Sequence, residues 1–305
     1  MSTPQFISIN KTLVPYDDAR VHVLSPTVKY GALVFEGLRA YWNAEQEQLY
    51  VIKLQEHFER FHNSVKAMRF DAKYSTEELT GIVLDLLRAN EVRSDVHLRV
   101  AAYVEGSGLY DSTGPISLMC AAYGRGSGPL AVKTVSAGVV SWRRINDAAT
   151  PPRLKVAANY HNARLGSLEA KINGYDEAIF LTSQGRVAEG AGSCLAIVRD
   201  GRLVTPSKTE GILESVTRQA VLDIARDLGI ATEERPVDRS ELYFAEEAFF
   251  CGTGVEIAPV TSIDKLPVGD GQIGEITRNI WDRYEASARG VGGHGPDWRT
   301  PVYPR

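Results

Sequence analysis

Two hydrophobic periods alternate along this chain. Short pieces with alternating apolar and polar positions open it, FISINKTLVP (6–15) and VHVL (21–24), followed by a mixed apolar stretch, GALVFEGLRAYW (31–42). All three read as strands separated by turns. From Lys53 the period lengthens: Leu54, Phe58, Phe61, Val65 and Met68 recur every three or four residues and predict an amphipathic helix over 53–68. A second helix is predicted over 76–89, with Leu79, Ile82, Val83, Leu86 and Leu87 as its stripe and Ser75 as its N-cap. Two strand-like runs follow, HLRVAAYV (97–104) and ISLMCAAY (116–123).

Gly and Pro then cluster in GRGSGPL (124–130), the best linker candidate. Beyond it come a strand (AVKTVSAGVVSW, 131–142), a loop holding Lys155, and a helix over about 160–173. AIFLTSQGRVAEG (178–190) reads as two strands, and LAIVRDGRLVTP (195–206) as a hairpin turned by Asp200-Gly201. A helix over 215–228 ends at Gly229, an apolar strand EAFFCGTG (247–254) follows, and a last helix covers 274–288. The Gly-rich stretch 290–296 reads as a loose tail. The expected organisation is a small N-terminal domain over 1–123, a linker over 124–134 and a larger domain over 135–305, in a mixed α/β (α+β) class.

Composition narrows the function. A chain of 305 residues with a net charge of −4 and no basic run longer than Arg143-Arg144 offers no electrostatic case for nucleic acid or anionic membrane. No apolar stretch approaches the ~18 residues of a bilayer span, and the N-terminus lacks the pattern of a signal peptide. Three unevenly spaced cysteines suit a reducing cytoplasm better than a disulfide framework. His57 and His62 are five apart on one helix, off the i, i+4 spacing of a metal pair, so no metal site is read.

Four places carry candidate chemistry. In RLKVAANYHNARLG (153–166), Lys155 stands among small apolar residues, where desolvation would lower its pKa and favour attack on an aldehyde. An amine that simply reaches solvent explains the same residues. Glu189 precedes a Gly-Ala-Gly turn and could keep a heterocyclic nitrogen protonated, or be an ordinary turn carboxylate. In TEGILESVTRQAV (209–221) the start of a helix offers N–H groups and hydroxyls to a phosphate, while plain N-capping by Ser215 accounts for it equally. Cys251-Gly252-Thr253-Gly254 would let a ligand approach the backbone, or merely turn the chain.

Taken in order, these pieces resemble one family. YGALVFEGLRAY (30–41), HFERFHNSVK (57–66), K-x4-Y at 155–160, EGAG (189–192), VTR (216–218) and GTGVEIAPV (252–260) are similar to motifs of the class IV aminotransferases, specifically the branched-chain amino-acid group. The likeness spans about residues 5–285.

The resemblance implies a two-domain fold-type IV enzyme with pyridoxal 5′-phosphate as cofactor, its active site between the domains. It implies an internal aldimine on Lys155, a hydrogen bond from Tyr160 to the cofactor phenolate, and Glu189 at the pyridinium nitrogen. Arg60, Val216, Thr217 and Thr253 would hold the phosphate, and Leu213 would lie against the ring. Tyr30, Phe35, Arg39, His97, Arg99 and Gly254 would line the substrate pocket. The reaction implied moves the amino group of Leu, Ile or Val to 2-oxoglutarate in a cytoplasmic homodimer, a loop near Glu105 to Tyr110 closing the partner's site.

This sequence departs from the pattern at three places. His97 replaces an aromatic phenol, Gly124-Arg125-Gly126 replaces aromatic residues, and Ser193-Cys194 lacks the usual asparagine. They touch the substrate side, so a D-amino-acid or (R)-amine transaminase, or an aminodeoxychorismate lyase-like enzyme, stays open as the alternative.

Overall fold

A computed structural model of the chain describes residues 3–124 and 133–304. Most of the expected linker, residues 125–132 with Arg125 and Gly126, lies outside the described residues. In chain order the first elements are β1 (Phe6–Ile9), β2 (Thr12–Pro15), α1 (Pro26–Tyr30), β3 (Leu33–Asn43), β4 (Gln48–Ile52), α2 (Leu54–Ala67) and α3 (Thr76–Ala89). Then come β5 (Val96–Val104), β6 (Ile116–Gly124), β7 (Val135–Arg143), α4 (Tyr160–Ile172), β8 (Glu177–Leu181), β9 (Val187–Gly190) and β10 (Cys194–Arg199). The rest are β11 (Arg202–Thr205), α5 (Val216–Asp227), β12 (Thr232–Glu234), β13 (Glu247–Gly252), β14 (Glu256–Ile263), β15 (Leu266–Pro267), α6 (Glu275–Arg289) and β16 (Arg299–Pro301).

Contacts divide the chain into two compact units. The first comprises Met1–Pro129, Leu154–Ala158 and Ala286–Arg305; the second comprises Leu130–Arg153 and Asn159–Glu285. The pentapeptide carrying Lys155 thus groups with the N-terminal unit, because Val156 bridges Val34 of β3.

In the first unit a seven-stranded sheet runs β16-β4-β3-β5-β6-β1-β2, with every neighbouring pair antiparallel. Alternation along β3 and β5 sends Val34, Leu38, Ala40, Leu98 and Val100 into a core shared with Phe58 and Phe61 of α2 and Leu86 and Leu87 of α3. Residues of opposite parity, Phe35, Arg39, His97 and Arg99, share the other face of these strands. Helix α3 starts on a full capping box: Ser75 Oγ accepts from the Glu78 N–H, and the Glu78 carboxylate accepts from the Ser75 N–H.

The second unit holds a mixed sheet, β12-β11-β10-β13-β14-β7-β8-β9, with β15 hairpinned onto β14. The β7 strand lies parallel to both β14 and β8. Asp200 and Gly201 both take positive φ, 50° and 68°, in the tight turn joining β10 to β11.

Two sequence expectations fail. VHVL forms a turn rather than a strand, and Val23 is 70% exposed, because among the described residues no sheet neighbour pairs with it and Ser25 and Pro26 immediately start α1. The Gly-rich stretch 290–296 does not end the ordered chain. Trp298 and Val302 are buried beyond it, and β16 pairs with β4. A three-residue strand whose partner is far away in sequence leaves no local periodic signal.

Candidate active site

In the first unit the backbone of Lys155 is held on both sides. Its N–H donates to Ser64 Oγ of α2 at 3.2 Å, and its carbonyl accepts from the Phe35 N–H at 3.0 Å. Its Nζ lies 5.0 Å from the centre of the Phe35 ring. The residue is half-buried rather than sealed, and the apolar wall it meets is Phe35, not only its sequence neighbours. The Arg99 guanidinium lies 3.7 Å from the centre of the same Phe35 ring.

Arg99 lies opposite Gly37 and His97 opposite Arg39 in the β3–β5 ladder. A Cβ on Gly37 would meet the His97 ring at 3.1 Å, so the glycine leaves the imidazole its place. His97 also meets Tyr123 of β6, ring centres 5.2 Å apart. Arg39 is buried beside the Tyr41 ring at 5.3 Å. Tyr30 is 44% exposed at the end of α1, and its ring contact is with Tyr110 at 6.2 Å.

Arg60 of α2 is anchored by a residue that the sequence reading did not single out. Glu36, on the core face of β3, is fully buried and accepts two bonds from it: Nε to Oε1 at 2.8 Å and Nη2 to Oε2 at 2.7 Å. His57, one turn earlier on α2, places Nδ1 2.7 Å from Glu36 Oε2. Burial alone would push the Glu36 carboxyl up, but the Arg60 and His57 contacts bring it down to about 2. Burial lowers His57, outweighing Glu36, and Arg60 and Lys155 lower it further.

In the second unit Glu189 is buried at the end of β9. Oε1 pairs with Arg144 Nη2 at 2.7 Å, Oε2 accepts the Leu213 N–H at 3.1 Å, and the Cys194 thiol lies 3.6 Å from Oε2. Burial, then Glu189 itself, raises the Cys194 pKa well above its usual value, so the sulfur stays a thiol and a donor. Arg144 is another residue that sequence reading missed, because nothing in its own neighbourhood marks its partner. Leu213 meets the Glu189 carboxylate through its backbone, a contact beyond the expected ring packing.

At the start of α5, Ser215 Oγ accepts from the Arg218 N–H at 3.2 Å, which leaves the N–H groups of Val216 and Thr217 outside that cap. Thr217 Oγ1 lies 3.2 Å from Thr253 Oγ1, so the turn after β13 and the helix start are brought together. Gly254 follows directly on that turn. Arg218 is structural: buried, it donates to Thr205, the Pro206 carbonyl and Glu234. Tyr160 opens α4 and, with Ala191, Gly192, Ser193 and Val255, lines a cavity of about 440 Å³. Among the described residues no group of three or more His, Cys, Asp or Glu could hold a metal ion.

The family model described as Amino-transferase class IV matches residues 33–263, and the chain belongs to that family. A probable branched-chain-amino-acid aminotransferase of Aquifex aeolicus is 42% identical over 95% of this chain and 94% of its own length. The Escherichia coli branched-chain-amino-acid aminotransferase is 36% identical, covering 90% of each chain. Among solved structures, a branched-chain amino acid aminotransferase from Thermobaculum terrenum in its PLP form superimposes with a TM-score of 0.94 at 39% identity, covering 99% of this chain and 100% of that one.

Proposed function

We propose that Lys155 is the catalytic residue of a pyridoxal-phosphate-dependent branched-chain aminotransferase, which moves the amino group of Leu, Ile or Val to 2-oxoglutarate. The observation that carries this reading is the clamp on Lys155: both backbone groups are bonded, and Nζ lies 5.0 Å from the centre of the Phe35 ring.

The donor sets suit the cofactor. Arg60 is held by two bonds to Glu36, and a guanidinium is a group of the right charge and donor geometry for a phosphate. The N–H groups of Val216 and Thr217 at a helix start, with the Thr217 and Thr253 hydroxyls, form a second anion-binding set. Glu189 offers a carboxylate to a ring nitrogen, Leu213 an apolar side chain to the ring, and Tyr160 a phenol. When bound, the cofactor supplies an aldehyde for the amino group and a protonated ring that accepts the electron pair left at Cα.

The chain's own residues do the rest. Lys155 Nζ would move a proton from substrate Cα to cofactor C4′ in one half-reaction and from C4′ to Cα in the other, so one base serves both. Glu189, tethered by Arg144 and the Leu213 N–H, presents its carboxylate in a fixed orientation. Arg39, Arg99 and His97 share one sheet face with Phe35, placing cationic and aromatic groups side by side. That pairing suits a pocket accepting both an apolar side chain and the second carboxylate of glutamate. Tyr30 would border it, and the Thr253–Gly254 turn would meet the α-carboxylate.

The working form is read as a homodimer. Val23, Leu24, Val28, Leu109 and Tyr110 are all more than half exposed, and Lys29 Nζ to the Gly108 carbonyl at 2.6 Å ties the two segments together. Such an apolar patch suits a second copy of the chain. The cytoplasm is the compartment that suits three free, buried cysteines, and no helix of the described residues is long and apolar enough to cross a membrane.

The test is a stopped-flow panel of L- and D-amino acids plus both enantiomers of an aryl amine, with borohydride reduction and peptide mapping of the loaded protein. L-Leu, L-Ile and L-Val should convert the bound cofactor fastest, with the reduced adduct on residue 155. Faster conversion by a D-amino acid or an (R)-amine would favour the alternative specificity; an adduct elsewhere would refute the role of Lys155.

A further inference from the structure

The buried trio on β3 and α2 does more than fill a core. A carboxylate gripped from one edge by a guanidinium can still rock about its last torsion, and the guanidinium rocks with it. In Glu36 that freedom is removed by a third contact, from His57 Nδ1 at 2.7 Å to the same Oε2 that Arg60 uses. An ionised carboxylate only accepts hydrogen bonds, so Nδ1 carries the proton and donates. All three side chains are largely or wholly withdrawn from water, which leaves Glu36 dependent on these donors.

We propose that His57 is a positioning residue for Arg60: by locking Glu36, it orients the guanidinium and so sets how tightly the chain holds the phosphate of its cofactor. The proposal rests on the reading that Arg60 takes that phosphate. It assigns His57 no contact with substrate or cofactor. A purely structural histidine would support the fold without distinguishing a phosphorylated ligand from its unphosphorylated form.

The test compares dissociation constants for pyridoxal 5′-phosphate and pyridoxal on the full chain, measured by equilibrium dialysis and absorbance. His57→Gln keeps a polar side chain but places its amide nitrogen near the Nε2 position, away from Glu36. His57→Asn places its amide nitrogen near Nδ1. His57→Gln and His57→Ala should weaken pyridoxal 5′-phosphate about tenfold while leaving pyridoxal within about twofold, the scale of one lost hydrogen bond to a charged group. His57→Asn should recover most of that loss. Equal losses for both ligands, no loss for either, or a failure of Asn to outperform Gln would overturn the proposal. If His57→Ala does not fold, the Asn and Gln pair decides alone. Arg60→Ala separates the two claims: should it keep the preference for the phosphorylated ligand, the phosphate role of Arg60 fails. Should it lose that preference while His57→Gln keeps it, only the role of His57 fails.

Discussion

Replacing Glu189 by Gln isolates one charge in a nearly dry place. The side chains of Arg144 and Glu189 are 8% and 5% exposed, and their closest atoms are 2.7 Å apart. Removing one partner leaves the other charge buried without compensation, which costs about 3–5 kcal/mol. Gln keeps an oxygen for the Leu213 N–H, so the lower end, about 3 kcal/mol, is expected for Glu189→Gln, and a similar loss for Arg144→Met. The double variant has neither charge, so its loss should fall short of the sum by about 2 kcal/mol or more. Denaturant unfolding of the cofactor-free full chain measures all three without a contribution from cofactor affinity. Losses that add to within about 0.5 kcal/mol would refute the coupling. The chemistry supplies a second readout. Glu189→Gln should keep the cofactor bound yet slow Cα deprotonation by orders of magnitude in single turnover, while Arg144→Met, which leaves the carboxylate, slows it far less. An unchanged rate in Glu189→Gln would remove Glu189 from the ring nitrogen.

Acid should find the Glu36 contact. Its carboxyl is lowered from 4.5 to about 2, so its stabilisation is complete above about pH 4.5 and lost as the pH falls through about 2. The whole effect is on the order of 3 kcal/mol at ~1.4 kcal/mol per unit. Glu36→Gln should therefore unfold with a shallower dependence on pH between 4.5 and 2.5 than the unaltered chain; parallel curves would contradict the assignment. At the exposed patch, Tyr110 is 77% exposed, and Tyr110→Asp should shift sedimentation from the two-chain to the one-chain mass. A one-chain mass before the change, or no shift after it, would remove this patch from the interface.

Much of the scaffold was legible because its signals are local. The 3.6-residue stripe of Leu79, Ile82, Val83, Leu86 and Leu87 and the Ser75 cap predict α3 to within a residue, since period and cap both lie inside the helix. Asp200-Gly201 announces its hairpin for the same reason. VHVL misled because alternation says a segment can be a strand, not that a neighbour exists to pair with it. The β16 strand went unseen because its pairing with β4 is supplied from the opposite end of the chain.

The sequence by itself determined the parts list: a lysine, a tyrosine, a glutamate, a capped helix start and a sheet face with two arginines, in an order that marks the family. Only the tertiary structure decided whom those parts touch. Glu36 looks like one more residue of an apolar strand until β3 packs on α2 and brings it to His57 and Arg60. Arg144 looks like half of a surface basic pair until it meets Glu189. Propensity and period are carried by each residue and its near neighbours, whereas the worth of a buried charge depends on a partner that folding alone brings within reach.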